Sequence, residues 1–415
     1  MPEPWGRDAL TPASGSPKKG AGGRPVFSLK LLEMAARASL AFLGQEDVIL
    51  SSEPQVTYFV EQYKGWTPFA QRVDAVNFEQ NWLSFGSEAW ARLPHIGDLV
   101  TDMYLKLTFP VDALGSSSTV RDSVGTLMIH SVELYVGSEL VERLWGEHLA
   151  LTWDLEVPES KQGSLLELIG KGTTVAATNY TVPLPFTVFT KGLPMCAFKE
   201  DVTVRLILHP SSVFTNPPLN LNSQIKANLD VEFTYLSDPE IDFVKKNPQL
   251  YVFEQVQKAE FFLPRGVNQT TCPLNFVNPV KEMFFVIQND TAGGYDYSNV
   301  TGGTTDQLTS MVLFFNSTDR ISSDIGTPVF LRNLQALEFH TRQPDYLFYM
   351  YSFSLDPESD IPTGHVNFSR IDKQNLILNL NPSLANRYVT IYAVSYNFFL
   401  VQDASAQVLF KNFTS

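Results

Sequence analysis

Met103-Tyr104-Leu105-Lys106-Leu107-Thr108-Phe109 places an apolar side chain at every second position, with polar or amphipathic ones between. Successive side chains of an extended backbone point to opposite faces, so this period marks a strand packed on one side only. The alternation recurs in Val132, Leu134 and Val136, in Val202 to Leu208, and in Leu229 to Tyr235. One-sided strands of this kind belong to antiparallel sheets with one wet and one dry face. Further along, the runs Met283 to Ile287, Met311 to Phe315 and Tyr346 to Leu355 are continuously apolar. Those runs predict strands buried on both faces, in a sandwich or at a subunit interface.

Helix signals are few. Ser28 can cap a helix whose apolar positions are Leu29, Leu32, Ala36, Leu40 and Leu43, with Gly44 to end it. Short helices are predicted at Pro158 to Ile169 and at Asp238 to Lys246, the latter stopped by Asn247-Pro248. The polar segment Asn289 to Thr309 is too long for an idle connection and predicts a loop that covers a surface or reaches a neighbour. The expected organisation is a disordered basic arm and amphipathic helix over 1–49 and a first sandwich over 50–237. A linker helix over 238–249 and a second sandwich over 250–415 complete it.

The 415 residues include 30 Phe and 15 Tyr, but only 18% are charged. That is below the roughly 25% of an average soluble chain and suits strands and interfaces better than solvated helices. The net charge is −14, which makes the body a poor partner for nucleic acid. It is unevenly spread. Residues 1–40 hold Arg7, Lys18, Lys19, Arg24, Lys30 and Arg37 against Glu3, Asp8 and Glu33, a balance of +3 that leaves −17 on the rest. Cys196 and Cys272, the only cysteines, predict free thiols and a reducing compartment. The opening residues lack the apolar core of a secretory signal, and no apolar stretch predicts a transmembrane helix.

Catalytic signatures are weak. Gly170-Lys171-Gly172-Thr173 lacks the first glycine and the Ser/Thr of a phosphate loop, and reads as a turn. The six histidines (95, 130, 148, 209, 340 and 365) are scattered without metal-ligand spacing. Asp356, Glu358 and Asp360 could suit glycoside chemistry or calcium, but between Pro357 and Pro362 they read as a solvated turn. Sequons at Asn179, Asn268, Asn289, Asn299, Asn316, Asn367 and Asn412 are those an Asn/Ser/Thr-rich chain makes by chance. Asn367 is expected inside a strand where a glycan would not fit. No catalytic, cofactor-binding or metal-ligating residue is assigned.

Pro54-Gln-Val-Thr57-Tyr-Phe59, Thr67-Pro-Phe69-Ala70, Ile96-Gly97-Asp98-Leu99 and Trp145-Gly146-Glu147 together resemble the major capsid proteins of nucleocytoplasmic large DNA viruses. Leu184-Pro185-Phe186, Glu254-Gln255-Val256-Gln257, Asn278-Pro279-Val280-Lys281-Glu282 and Asp319-Arg320 continue the resemblance. The longest block runs from Tyr351 through Pro362-Thr-Gly364 to Asn367-Phe368-Ser369-Arg370-Ile371-Asp372, where Arg370 and Asp372 can pair as charges. The resemblance spans about residues 28–400 in order, as in algal viruses, iridoviruses and marseilleviruses.

The resemblance implies an all-β double jelly roll, two eight-stranded sandwiches in tandem. It also implies a homotrimer, a pseudo-hexagonal capsomer that tiles an icosahedral shell assembled in the host cytoplasm. Its implied partners are other copies, minor capsid proteins and, through the arm, an internal membrane, without enzyme activity or cofactor. A minor, penton-like capsid paralogue is the nearer alternative. A carbohydrate-binding or glycosidase jelly roll built on Asp356 to Asp360 is the more distant one.

Overall fold

The computed structural model describes residues 37–38, 40–42, 44–55, 57–60, 63–111, 119–219 and 223–410. Two compact units divide at Trp66 and Thr67. In the first, helix α1 (Gln45–Ser51) is exposed throughout, and the Gly44 N–H donates to the Asp47 carboxylate at 3.0 Å. The arm over 1–25 and most of the expected helix at Leu29 to Leu43 lie outside the described residues.

The second unit is built from sixteen principal strands. Those of its first half are β1 (Ala70–Asn77), β2 (Glu88–Arg92), β3 (Leu99–Thr108), β4 (Ile129–Val136), β5 (Glu139–Trp145), β6 (Asn179–Pro183), β7 (Val202–Leu208) and β8 (Gln224–Tyr235). They pair antiparallel as β1-β8-β3-β6 and β2-β7-β4-β5. The second half supplies β9 (Gln249–Leu263), β10 (Gln269–Leu274), β11 (Pro279–Asn289), β12 (Leu308–Phe315), β13 (Thr318–Ile321), β14 (Tyr349–Ser352), β15 (Gln374–Leu380) and β16 (Arg387–Gln402). These pair as β9-β16-β11-β14 and β10-β15-β12-β13. In both halves one sheet holds the first, eighth, third and sixth strands, and the other holds the second, seventh, fourth and fifth. That is the jelly-roll order, which wraps hairpins around a single core.

The alternation read from the sequence fills the first core. Met103, Leu105 and Leu107 of β3 are at most 1% exposed and face Val132 and Leu134 of β4 and Val204 and Leu206 of β7. The continuous run in β11 has another explanation. Met283, Phe285 and Ile287 point into the second sandwich, whereas Phe284 and Val286 join the apolar cluster of the first. Of the two settings expected for such runs, a sandwich or a subunit interface, Met283 to Ile287 takes the first, because the chain itself buries both of its faces.

The three longest α-helices occupy connections between strands. Helix α2 (Gly146–Glu156) follows β5, α3 (Gln162–Ile169) completes the region expected at Pro158 to Ile169, and α4 (Asp238–Lys246) follows β8. Pro239 near the start of α4, and Lys245 and Lys246 at its end, match the usual asymmetry of helix ends. Among the described residues no helix is long and apolar enough to cross a membrane.

Candidate functional site

The junction between the two sandwiches is where polar chemistry concentrates, and α2 is its centre. At the start of α2, a Cβ on Gly146 would lie 2.1 Å from the Ile129 carbonyl oxygen and 2.4 Å from that of Thr126. Only glycine lets the helix begin so close to β4. Glu147 then accepts from the Tyr297 hydroxyl at 3.0 Å and the Tyr392 hydroxyl at 2.6 Å, both from the second sandwich. Tyr295 donates to Thr126 Oγ1 at 3.0 Å. The loop between β11 and β12 therefore covers a surface, as its length predicts, and that surface is the first sandwich.

Asp154, with no exposed area, accepts from Lys171 Nζ at 2.6 Å and from the backbone N–H groups of Asp345 and Tyr346 at 2.6 and 3.0 Å. Lys171 is thus spent on a structural tie, and Gly170 is the left-handed C-cap of α3, which confirms the turn reading of that segment. Buried charges persist where ion pairs and hydrogen bonds replace water in this way.

A polar crevice of about 690 Å³ runs along the same junction, with Glu156, Glu254, Lys281 and Glu358 among its walls. Lys281 donates to Glu254 at 2.5 Å and to the Pro357 carbonyl at 2.7 Å. Burial opposes its charge, but Glu254 and Glu282 outweigh that and raise its pKa. His340 bridges Glu282 at 3.5 Å and Glu358 at 3.2 Å, and Thr341 gives Glu358 two more donors. Glu358 is therefore a clamp between loops rather than a freely solvated turn residue. Among the described residues no group of three His, Cys, Asp or Glu could hold a metal ion.

Two buried titratable groups sit nearby. Glu142 accepts from Thr187 N–H, Thr187 Oγ1 and Val188 N–H at 3.0, 3.1 and 3.2 Å, yet burial pushes its carboxyl up to about 8. His148 packs its ring against Phe284 and Tyr392, with centroids 5.3 and 5.4 Å apart, and burial pushes it down to about 3.

Other expectations fare unevenly. Arg370 closes a 3₁₀ turn (Phe368–Arg370), and no ion pair joins it to Asp372 among the described residues, so that expected charge pair is corrected. Asn367 ends a short strand (Val366–Asn367) as expected, but its side chain is exposed and accepts from Ser369 N–H at 3.0 Å, so the strand does not close off that sequon. Among the described sequons, Asn289 is the one closed off, at 3% exposure. Cys272 is buried and Cys196 half-buried; neither is bridged. Sequence reasoning passed over α2, because a helix buried on nearly every side has no amphipathic period to detect.

Comparison with known proteins follows the same two halves. Residues 57–233 match the family model described as major capsid protein N-terminus, and residues 240–412 match that described as large eukaryotic DNA virus major capsid protein. The chain is 26% identical to the major capsid protein of Pyramimonas orientalis virus, over 90% of this chain and 98% of that one. It is 25% identical to the major capsid protein of Paramecium bursaria Chlorella virus 1, over 82% and 86%. Among solved structures, the PBCV-1 virus capsid quasi-atomic model superposes with a TM-score of 0.75 at 19% identity, covering 86% of this chain and all of that one. The Faustovirus major capsid protein gives 0.69 at 11% identity, over 92% of this chain and all of that one.

Proposed function

Because the chain belongs to the major capsid proteins of large eukaryotic DNA viruses, we propose that it forms homotrimeric, pseudo-hexagonal capsomers that tile an icosahedral shell. The observation that carries this reading is the repeated strand order. Two sandwiches of one connectivity, fused through a buried junction, give each subunit two similar corners, and three subunits supply the six that a hexagonal lattice requires. We place the division of labour at α4, with the first jelly roll over 50–237, the linker over 238–249 and the second jelly roll over 250–415. The role is structural, without catalysis: Asp154, Glu254 and Glu358 at the junction are held by Lys171, Lys281 and His340.

In this reading the partners are other copies of the chain, neighbouring capsomers and minor capsid proteins, and the basic N-terminal segment faces an internal membrane in a shell assembled in the host cytoplasm. Mass measurement of the purified protein in solution tests it. A species three times the 46.5 kDa of the chain is expected, and a strictly monomeric protein at all concentrations would overturn the proposal.

A further inference from the structure

A second cleft, of about 520 Å³, opens between β4–β5 of the first sandwich and β9–β16 of the second. Its walls include His130, Trp145 and His209 on one side, and Lys258, Tyr388 and Thr390 on the other. The volume lies within the range of ordinary small-ligand sites. The two imidazole rings stand edge to face with centroids 5.0 Å apart. Neither ring nitrogen of His209 has a protein hydrogen-bond partner among the described residues, and His130 offers only Nδ1, 3.4 Å from Ser131 Oγ. Two half-buried imidazoles with unspent nitrogens therefore face one cavity.

The charge balance decides what they can meet. Lys258 is the one cationic side chain lining this cleft, and it is already committed, 2.6 Å from Glu260 and 4.7 Å from the centre of the Trp145 ring. Glu147 and Glu260 also line the walls, so an anionic ligand would be repelled. Burial lowers both imidazoles, His209 to about 4, with Lys258 adding to the effect, so both are neutral near pH 7. A neutral imidazole presents one N–H donor and one nitrogen acceptor, the pairing that a hydroxyl group satisfies in both directions. At the mouth, Tyr388 is 50% exposed, and just outside the lined wall Phe262, 55% exposed, lies beside it with ring centroids 5.4 Å apart and planes tilted by 56°. Cross-strand register places this pair in line with Glu260 and Thr390 deeper in the cleft. An exposed aromatic surface leading to neutral donor–acceptor groups matches a molecule with one C–H face and several hydroxyls.

We propose that this cleft binds a neutral pyranose sugar, its C–H face on Tyr388 and Phe262 and its hydroxyls on His130 and His209. The function goes beyond shell building, and its test does not depend on trimer formation. Purified full-length protein is titrated with methyl glycosides of glucose, galactose, mannose and xylose, followed by saturation-transfer NMR and calorimetry. Saturable binding of at least one is expected, weakened by about tenfold or more in His209→Leu, the loss of one good polar contact. Tyr388→Ser, at a half-exposed position, weakens it similarly and keeps the test decisive where His209→Leu fails to fold. Leu384→Ala, at a 97% exposed position that does not line the cleft, leaves binding unchanged. Absence of saturable binding by all four glycosides, or binding indifferent to both cleft variants, overturns the proposal.

Discussion

Asp154 and Arg342, one from each sandwich, form a 2.7 Å ion pair in which the carboxylate has no exposed side-chain surface and the guanidinium only 13%. Arg342 also reaches Glu159 at 2.8 Å and the Asp154 carbonyl at 3.0 Å. The pair thus fixes the end of α2 against the segment that leads into β14. Removing one partner strands the other's charge and backbone donors in a dry junction, which costs about 3–5 kcal/mol. Asp154→Ala is expected to lower the calorimetric melting midpoint markedly. A midpoint equal to that of the unmodified protein would show that the network is ornamental.

Gly146 makes a sharper test of the same junction. A methyl group there meets two backbone carbonyls that cannot swing aside as a side chain could. Gly146→Ala is expected to cost several kcal/mol, enough to leave the protein insoluble or molten, whereas Gly163→Ala in α3, where a Cβ meets nothing, is neutral or slightly stabilising. Near-ultraviolet circular dichroism and soluble yield distinguish these outcomes.

His148 and Glu142 give the stability opposite slopes with pH. His148 is neutral when folded down to about pH 3, but its unfolded value is 6.5. Its contribution is complete above 6.5 and is lost as pH falls toward 3, because the unfolded chain then binds the extra proton. Glu142 titrates at about 8 when folded and 4.5 when unfolded, so its contribution is complete below 4.5 and is lost as pH rises to 8. Each limb is worth on the order of a few kcal/mol. The melting midpoint should peak between them. His148→Phe should make the acid limb shallower and Glu142→Gln the alkaline one; unchanged limbs in both variants would contradict this assignment.

Alternate residues of β11 should report on different cores. Phe285 packs within the second sandwich, while Phe284 meets His148 and Phe348 at the junction, ring centroids 5.3 and 6.1 Å away. Either truncation to alanine removes a fully buried ring and costs about 3–5 kcal/mol. Phe284→Ala should raise hydrogen exchange in α2 across the junction, and Phe285→Ala chiefly in β12 and β15. Identical exchange patterns for the two would mean that the sandwiches open as one body.

These relationships explain which parts of the molecule the sequence disclosed. Period-two runs such as Met103 to Phe109 and Val202 to Leu208 announce themselves because one face is wet, so strand type and core residues followed directly. The continuous run at Met283 to Ile287 announced double burial without naming the second surface, because periodicity carries no address for a partner. The junction residues were visible as blocks of family resemblance or, like Lys171, Glu358 and His340, as isolated residues whose partners no spacing revealed. Trp145-Gly146-Glu147 proves to be the start of α2. Glu254 and Lys281 form one buried ion pair, and Gln255 donates to the Val141 carbonyl at 2.6 Å. These contacts join residues 27 and 114 positions apart, and no local pattern encodes them. Asp319-Arg320 is similar: Arg320 lies over the Tyr351 and Phe353 rings at 5.8 and 5.9 Å, a stacking that spacing alone does not reveal.

On the proposed assembly reading, the remaining asymmetry, +3 on residues 1–40 against −17 on the rest, makes the N-terminal segment a test of shell building. The strands of both sandwiches lie between residues 70 and 408, so removal of the first 27 residues should leave the number of copies in the oligomer unchanged. Their cations suit an anionic lipid surface or an acidic partner, an attraction worth about 1 kcal/mol for each Lys or Arg near such a surface and screened by salt. A chain lacking residues 1–27 is therefore expected to form the same oligomer as the full chain. It should lose binding to vesicles that contain phosphatidylserine and yield few complete particles. Full-length protein should itself release those vesicles as salt is raised. Normal particle yield from the truncated chain would remove the arm from the assembly mechanism and leave the jelly-roll surfaces to account for it alone.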